Sequence, residues 1–182
     1  MAQPAEKLMT VAEFLAWDDG TDKRYELVDG RPVAMNPPGG PHRTIAANAT
    51  ALLSITLRDR PPCRPEQEAG ITITEHQWRQ ADVAVTCQPP APGDIIDPLL
   101  IVEVLSPSNR RTDLLDKLRE YKSLPSVQEV WLIDSERRWV EVWQRDEDAA
   151  WVGRNYVGSA KFDSPVLRAS VMLDELYRNV EA

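Results

Sequence analysis

Residues 99–122 read LLIVEVLSPSNRRTDLLDKLREYK, and the fold turns on this stretch. Leu99 to Leu105 is apolar on both faces except at Glu103, the pattern of a central strand covered on both sides. Alternation places Ile101, Glu103 and Leu105 on one face, and Leu100, Val102 and Val104 on the other. Ser106-Pro107-Ser108-Asn109 ends the strand, and Thr112 can cap a helix reaching about Lys122. Leu114, Leu118 and Tyr121 supply the apolar stripe of that helix, with Lys117 lying inside it. A further strand is expected over Val127 to Ile133.

Working outward, Thr10 followed by Glu13 is a capping-box signature for a short helix with Val11, Phe14 and Leu15 on its apolar face. Asp29-Gly30 between two apolar segments predicts a hairpin, because a type I′ turn needs positive φ at both central residues. Pro32 in the return arm suits an edge strand. Prolines 37, 38 and 41 around Gly39-Gly40 predict a loop. From His42 to Leu57, Ile45, Ala49, Leu52 and Ile55 recur at helical spacing. Ala69 to Thr74 and Arg79 to Thr86 read as strands joined through Glu75 to Trp78, and Gln88 to Pro98 as a surface loop. Trp139 to Trp143 and Trp151 to Val157 read as a strand pair, and the C-terminus as a short strand with a helical turn. Helices alternating with a mixed or antiparallel sheet indicate an α/β (α+β) three-layer class. Residues 1–182 are expected to form one domain with an N-terminal helix and hairpin extension.

The 182-residue chain carries 29 acidic against 21 basic residues, a net charge of −8 and a pI near 4.8. That balance argues against a general nucleic-acid coat protein or a polybasic membrane binder. Cys63 and Cys87 permit at most one internal disulfide, and free thiols in a reducing compartment are the simplest expectation. The N-terminal residues lack a signal-peptide pattern, and no segment approaches 18 consecutive apolar residues, so a cytoplasmic protein with no membrane partner is expected. GxSxG, P-loop and GxGxxG patterns are all missing, which leaves serine hydrolase, NTPase and nucleotide-cofactor readings without local support.

Glu103 is the sharpest anomaly, since an unpaired buried carboxylate costs several kcal/mol or takes up a proton. It needs a cation, a metal or an edge position. Asp82, in Ala81-Asp82-Val83-Ala84-Val85, poses the same problem. If the two strands are neighbours, the carboxylates repel by roughly 3 kcal/mol at about 5 Å and an effective dielectric of about 20. A divalent cation would offset that, and hard oxygen ligands suit Mg²⁺ or Mn²⁺ rather than Zn²⁺. Lys117 is one of five lysines against 16 arginines, and it either stabilises phosphoryl charge at such a site or pairs with Asp113 while its stem snorkels over the core. Glu26 can approach from the first hairpin or lie on the solvent side of an edge strand. His42 opens a helix, where it either meets a phosphate or serves as a cap. Trp139, Glu141 and Trp143 alternate on one face and suit either a covered sheet face or a contact patch.

Tyr25 to Gly30, His42, Asp82 to Val85, the run LIVEVLSPSNRRTDLLDKLREY and the following SVQEVWLID together resemble the Uma family of restriction-endonuclease-like proteins. That family lies within the PD-(D/E)XK nuclease superfamily, and the similarity runs from Thr10 to the C-terminus. The resemblance implies a restriction-endonuclease-like core and Mg²⁺- or Mn²⁺-dependent hydrolysis of DNA phosphodiesters. It maps Asp82 and Glu103 onto the metal-binding acids, Lys117 onto a lysine that has migrated from the strand to the next helix, and Glu26 onto an additional acid. Ala81 stands where proline usually precedes the aspartate, and Leu105 where the superfamily lysine would be. His42, Arg43, Arg110 and Arg111 are candidate phosphate contacts, and homodimers are common in the family. A non-catalytic DNA-binding or protein-interaction module that keeps the nuclease fold is the alternative.

Overall fold

The structure is a computed structural model that describes residues 7–90, 97–106 and 111–181, apart from the side chains of Arg111 and Thr112. The element order is α1 (Val11–Leu15), β1 (Tyr25–Val28), β2 (Arg31–Ala34), α2 (Gly40–Leu57), β3 (Arg64–Thr74), β4 (Gln77–Thr86), β5 (Pro98–Leu105), α3 (Arg111–Ser123), β6 (Glu129–Asp134), β7 (Trp139–Arg145), β8 (Trp151–Val157), β9 (Lys161–Ser164), β10 (Ala169–Met172) and α4 (Leu173–Leu176). The main sheet runs β2-β1-β4-β5-β6-β7-β8, with β3 paired on β4, and β9-β10 form a separate hairpin. Among the described residues only β5 and β6 pair in parallel, and the other ladders are antiparallel.

Local chemistry explains the N-terminal elements. Glu13 N–H donates to Thr10 Oγ1 at 3.2 Å while Thr10 N–H donates to Glu13 Oε2 at 2.9 Å, closing the capping box of α1. Asp29 and Gly30 adopt φ of 48° and 73°, as a type I′ hairpin requires. A Cβ on Gly30 would also stand 2.6 Å from Leu8 Cβ, so the turn needs glycine for space as well as for conformation. Pro32 sits in β2, an edge strand with one ladder partner among the described residues, where its missing N–H costs no sheet bond.

Two helices cover opposite faces of the sheet. Ile45, Ala49, Leu53 and Leu57 of α2 pack on Val83, Val85, Leu100, Val102 and Val104, together with Phe162, Leu167, Val171 and Leu173 from the C-terminal segment. Leu118 and Tyr121 of α3 pack on Ala84, Ile101, Val130 and Leu132 from the other side. The alternation read along β5 is thus realised on both of its faces. Leu53 is fully buried at the centre of the α2 layer, where truncation to alanine should cost about 2–5 kcal/mol.

The feature that positions the site is a fork. β3 lies along β4 from Arg64↔Thr86 to Thr74↔Gln77 and occupies one edge of it. β1 and β5 therefore share the opposite edge, β1 at Leu27↔Trp78 and β5 from Val83↔Val102 onward. Residues 79–82 face the gap between them. Two backbone amides that a continuous ladder would use are taken by side chains instead: Gln80 N–H donates to Glu26 Oε1 at 3.0 Å, and Val104 N–H to Asp82 Oδ2 at 2.7 Å.

Several expectations change. Cys63 and Cys87 form a disulfide rather than two free thiols. They flank the Arg64↔Thr86 pair, so the hairpin register sets them opposite each other, and the thiol argument for a reducing compartment falls away. β4 begins at Gln77, so Trp78 belongs to the strand and packs with Val11, Phe14 and Leu27 rather than in the turn. β3 begins at Arg64, five residues earlier than expected, because Pro65 is tolerated on an outer strand. Helix α3 already includes Thr112, so that residue is not its cap. Residues 91–96 of the expected loop and Ser106-to-Asn109 beyond Ser106 lie outside the described residues. No helix among the described residues is long and apolar enough to cross a membrane.

Candidate active site

Glu26, His42, Arg79, Asp82, Glu103 and Lys117 line one cavity of about 480 Å³ at the fork. Each arrives from a different part of the fold: Glu26 from β1, His42 from the first turn of α2, Arg79 and Asp82 from β4, Glu103 from β5 and Lys117 from α3. Asp82 and Glu103 lie on neighbouring antiparallel strands, one position beyond the Val83↔Val102 pair.

The carboxylates are held differently. Asp82 Oδ2 accepts the Val104 amide and lies 3.2 Å from His42 Nε2. Glu103 is 4% exposed; its Oε1 accepts Tyr121 Oη–H at 2.6 Å and lies 3.6 Å from Lys117 Nζ. Among the described residues these contacts fall on one oxygen of each carboxylate. Burial pushes the Glu103 carboxyl up to about 7, against the pull of Lys117 and with added repulsion from Asp82. Burial also carries the Tyr121 hydroxyl well above its ordinary value, reinforced by Glu103, so Tyr121 remains a donor.

Glu26 is engaged on both oxygens. Oε1 lies 2.8 Å from Lys117 Nζ and accepts the Gln80 amide, while Oε2 accepts Arg79 Nη1 at 3.0 Å. Lys117 is buried, which disfavours its charge, yet Glu103 and Glu26 outweigh that and hold it protonated above the ordinary lysine value. For His42, burial opposes protonation, but Asp82, Glu103 and the Val104 backbone prevail and raise it above its ordinary value.

Arg79 and Tyr121 were not expected in these roles. Arg79, only 1% exposed, grips Glu120 with Nε at 2.7 Å and Nη2 at 3.0 Å, and reaches Asp113 at 3.2 Å besides Glu26. The signal was present: Gln77-Trp78-Arg79-Gln80 places a cation inside a strand that continues through Ala-Asp-Val-Ala-Val to Thr86. Tyr121 belongs to the apolar stripe of α3, and its position four residues after Lys117 puts both on the face toward Glu103. Arg43 Nη1 donates to the Pro38 carbonyl at 2.9 Å at the mouth of α2. Arg110 and the Arg111 side chain lie outside the described residues. Among the described residues no group of three or more His, Cys, Asp or Glu side chains is arranged to hold a metal ion.

The sequence pattern of the Uma family, described as "Putative restriction endonuclease", matches residues 11–174. The chain belongs to this family. Among relatives, the uncharacterized protein slr1290 of Synechocystis sp. (strain ATCC 27184 / PCC 6803 / Kazusa) is 29% identical over 173 residues, covering 92% of this chain and 90% of that protein. The uncharacterized protein sll1609 of the same organism is 27% identical over 164 residues, covering 87% and 93%. A crystal structure titled as a putative nuclease belonging to DUF820, from Anabaena variabilis ATCC 29413, superposes with a TM-score of 0.76 at 20% identity, covering 92% of this chain and 97% of that one. That similarity establishes the restriction-endonuclease-like α/β three-layer fold. Membership in the Uma family makes the chain a nuclease-like protein in general terms.

Proposed function

We propose that this Uma-family chain is a metal-dependent endonuclease that hydrolyses phosphodiester bonds in DNA, with Mg²⁺ or Mn²⁺ as cofactor. One observation carries the reading: Asp82 and Glu103 lie side by side at the fork with Lys117 beside them, in a cavity open to a substrate. The donor set fits a hard cation. Mg²⁺ commonly keeps several waters and uses only one or two protein carboxylates, so the lack of a third side-chain ligand is compatible with it. Asp82 and Glu103 would hold the ion through the oxygens not engaged by Val104, His42 or Tyr121. When bound, the ion supplies Lewis acidity toward a phosphoryl oxygen and a water of lowered pKa.

The chain's own residues supply the rest. Lys117 stays protonated, so it acts as a fixed positive charge toward a phosphoryl oxygen or an attacking water rather than as a base. Glu26, gripped by Arg79, sets the position of the Lys117 ammonium group. By the family resemblance, Arg43, Arg110 and Arg111 are the candidates for contacting phosphate. A net charge of −8 disfavours long nonspecific tracking on DNA, and a homodimer would bring two such sites to one substrate. Half-buried Trp139 beside Val157, 63% exposed on edge strand β8, supports the C-terminal strands as the contact surface.

The test is a cleavage assay on single-stranded, double-stranded and branched DNA with Mg²⁺ or Mn²⁺, for wild type and Glu103→Gln. Cleavage that needs metal and drops at least about 10²-fold in the variant is the expected result. A folded wild type that binds neither ion, or cleavage indifferent to Glu103→Gln, overturns the proposal.

A further inference from the structure

We infer that His42 and Tyr121 are positioning residues, each pinning one oxygen of a site carboxylate from opposite sides of the sheet so that the other oxygen is presented to a divalent cation. The inference rests on the metal reading above and adds to it two residues that would not themselves touch the ion.

The geometry is paired. His42 comes from α2 on one face, and its Nε2 lies 3.2 Å from Asp82 Oδ2. Tyr121 comes from α3 on the other face, and its hydroxyl lies 2.6 Å from Glu103 Oε1. An ionised carboxylate only accepts, so His42 must carry its proton on Nε2 in this arrangement. The opposite ring nitrogen, Nδ1, is buried with no hydrogen-bond partner among the described residues. That leaves Asp82 as the imidazole's one side-chain partner in these contacts, rather than a phosphate.

The second donor to Asp82 Oδ2 is the Val104 amide, which belongs to the strand that carries Glu103. Asp82 is thereby tied both to α2 and to β5, and its rotation is restrained from two directions. Glu103 is tied to the last turn of α3 by the side chain of Tyr121, which is fully buried. A carboxylate free to swing must be ordered when it takes up a cation; one already fixed through a single oxygen is ordered beforehand. Donors outside the coordination sphere typically change metal affinity by about 10–100-fold when removed. The hydroxyl proton of Tyr121 also offsets charge on Glu103 while no cation is bound, and a neutral donor can remain in place once one is.

The measurement is Mn²⁺ affinity by calorimetry on the full chain, alongside thermal unfolding, for wild type, Glu103→Gln, Tyr121→Phe, His42→Leu and His42→Gln. Tyr121→Phe and His42→Leu should each bind Mn²⁺ about 10–100-fold more weakly per folded molecule, with stoichiometry unchanged. His42→Gln, which restores an N–H donor, should recover most of the loss. A purely structural role would lower the unfolding temperature and leave affinity per folded molecule within twofold of wild type, which overturns the inference. Equal loss in His42→Leu and His42→Gln overturns it for His42. Wild type that fails to bind Mn²⁺, or binds it no better than Glu103→Gln, overturns the metal reading and this inference with it. Loss in Glu103→Gln alone overturns only the inference.

Discussion

The Lys117 ammonium group stands 2.8 Å from Glu26 but 3.6 Å from Glu103. Its nearest anion thus comes from the hairpin, not from the strand where the superfamily pattern places the acid and its lysine together. Two carboxylates share this one cation, Glu26 from the hairpin and Glu103 from β5. Lys117→Ala should leave a folded protein whose cleavage rate, at matched folded fraction and saturating metal, falls by roughly 10²-fold or more. An unchanged rate would remove Lys117 from the mechanism.

Arg79 closes the same network from below. Replacing it by methionine keeps the apolar stem but leaves Glu26 and Glu120 without their shared guanidinium. Removing one partner of a buried pair costs about 3–5 kcal/mol, and urea unfolding should show a loss of that size. Arg79→Lys should recover little of it, since a single ammonium cannot reproduce the two-pronged grip on Glu120. Full stability in either variant would mean that the network contributes nothing.

Glu129 gives a pH dependence remote from the candidate site. It is fully buried and accepts Trp131 Nε1, Ser164 Oγ and Gln144 Nε2, with no cation among these partners. Burial raises its pKa above the ordinary 4.5, against those three donors. The folded state therefore binds the proton more tightly than the unfolded one. Its penalty is absent below pH 4.5, grows as pH rises toward the raised value, and stays constant above it. Glu129→Gln should gain stability relative to wild type across that window. Parallel pH profiles for the two proteins would contradict the assignment.

The Cys63–Cys87 link closes a 24-residue separation across a hairpin that the β3–β4 ladder already zips. Chain-entropy arithmetic puts its upper bound at about 3.5 kcal/mol. Cys63→Ser should lower the unfolding temperature, and wild type in excess dithiothreitol should fall to the same value. Two titratable thiols in the unreduced native protein would show that the bond is not formed.

Gly153 is required by the ring it supports. A Cβ there would meet Trp143 Cζ2 at 2.8 Å, while Lys122 Nζ covers that indole at 3.0 Å from its ring centre. Gly153→Ala should cost about 1–3 kcal/mol through overpacking, read as a lower unfolding temperature and a shifted tryptophan emission.

Much of this architecture is written in local pattern. The Asp29-Gly30 turn, the two-faced strand around Glu103 and the stripe carrying Lys117 each follow from residue chemistry within a dozen positions. What could not be read is set by pairing between distant segments. Arg79 looks like the solvent side of a strand until β1 and α3 bring Glu26 and Glu120 over it. Glu129 looks like a strand-end carboxylate until Ser164, from the C-terminal hairpin, closes on it. The cysteines looked free because sequence spacing does not disclose that β3 extends back to Arg64 and sets them opposite each other.

The amide of Val104 is bonded to a carboxylate instead of a neighbouring strand's carbonyl. Its proton is therefore a native spectroscopic sensor of Asp82. In a ¹⁵N-labelled sample this single cross-peak should move when Asp82 binds an ion or loses His42, while amides in the regular β5–β6 ladder stay in place. The strand fork thus supplies an observable at the heart of the molecule that needs no substrate, no turnover and no added probe.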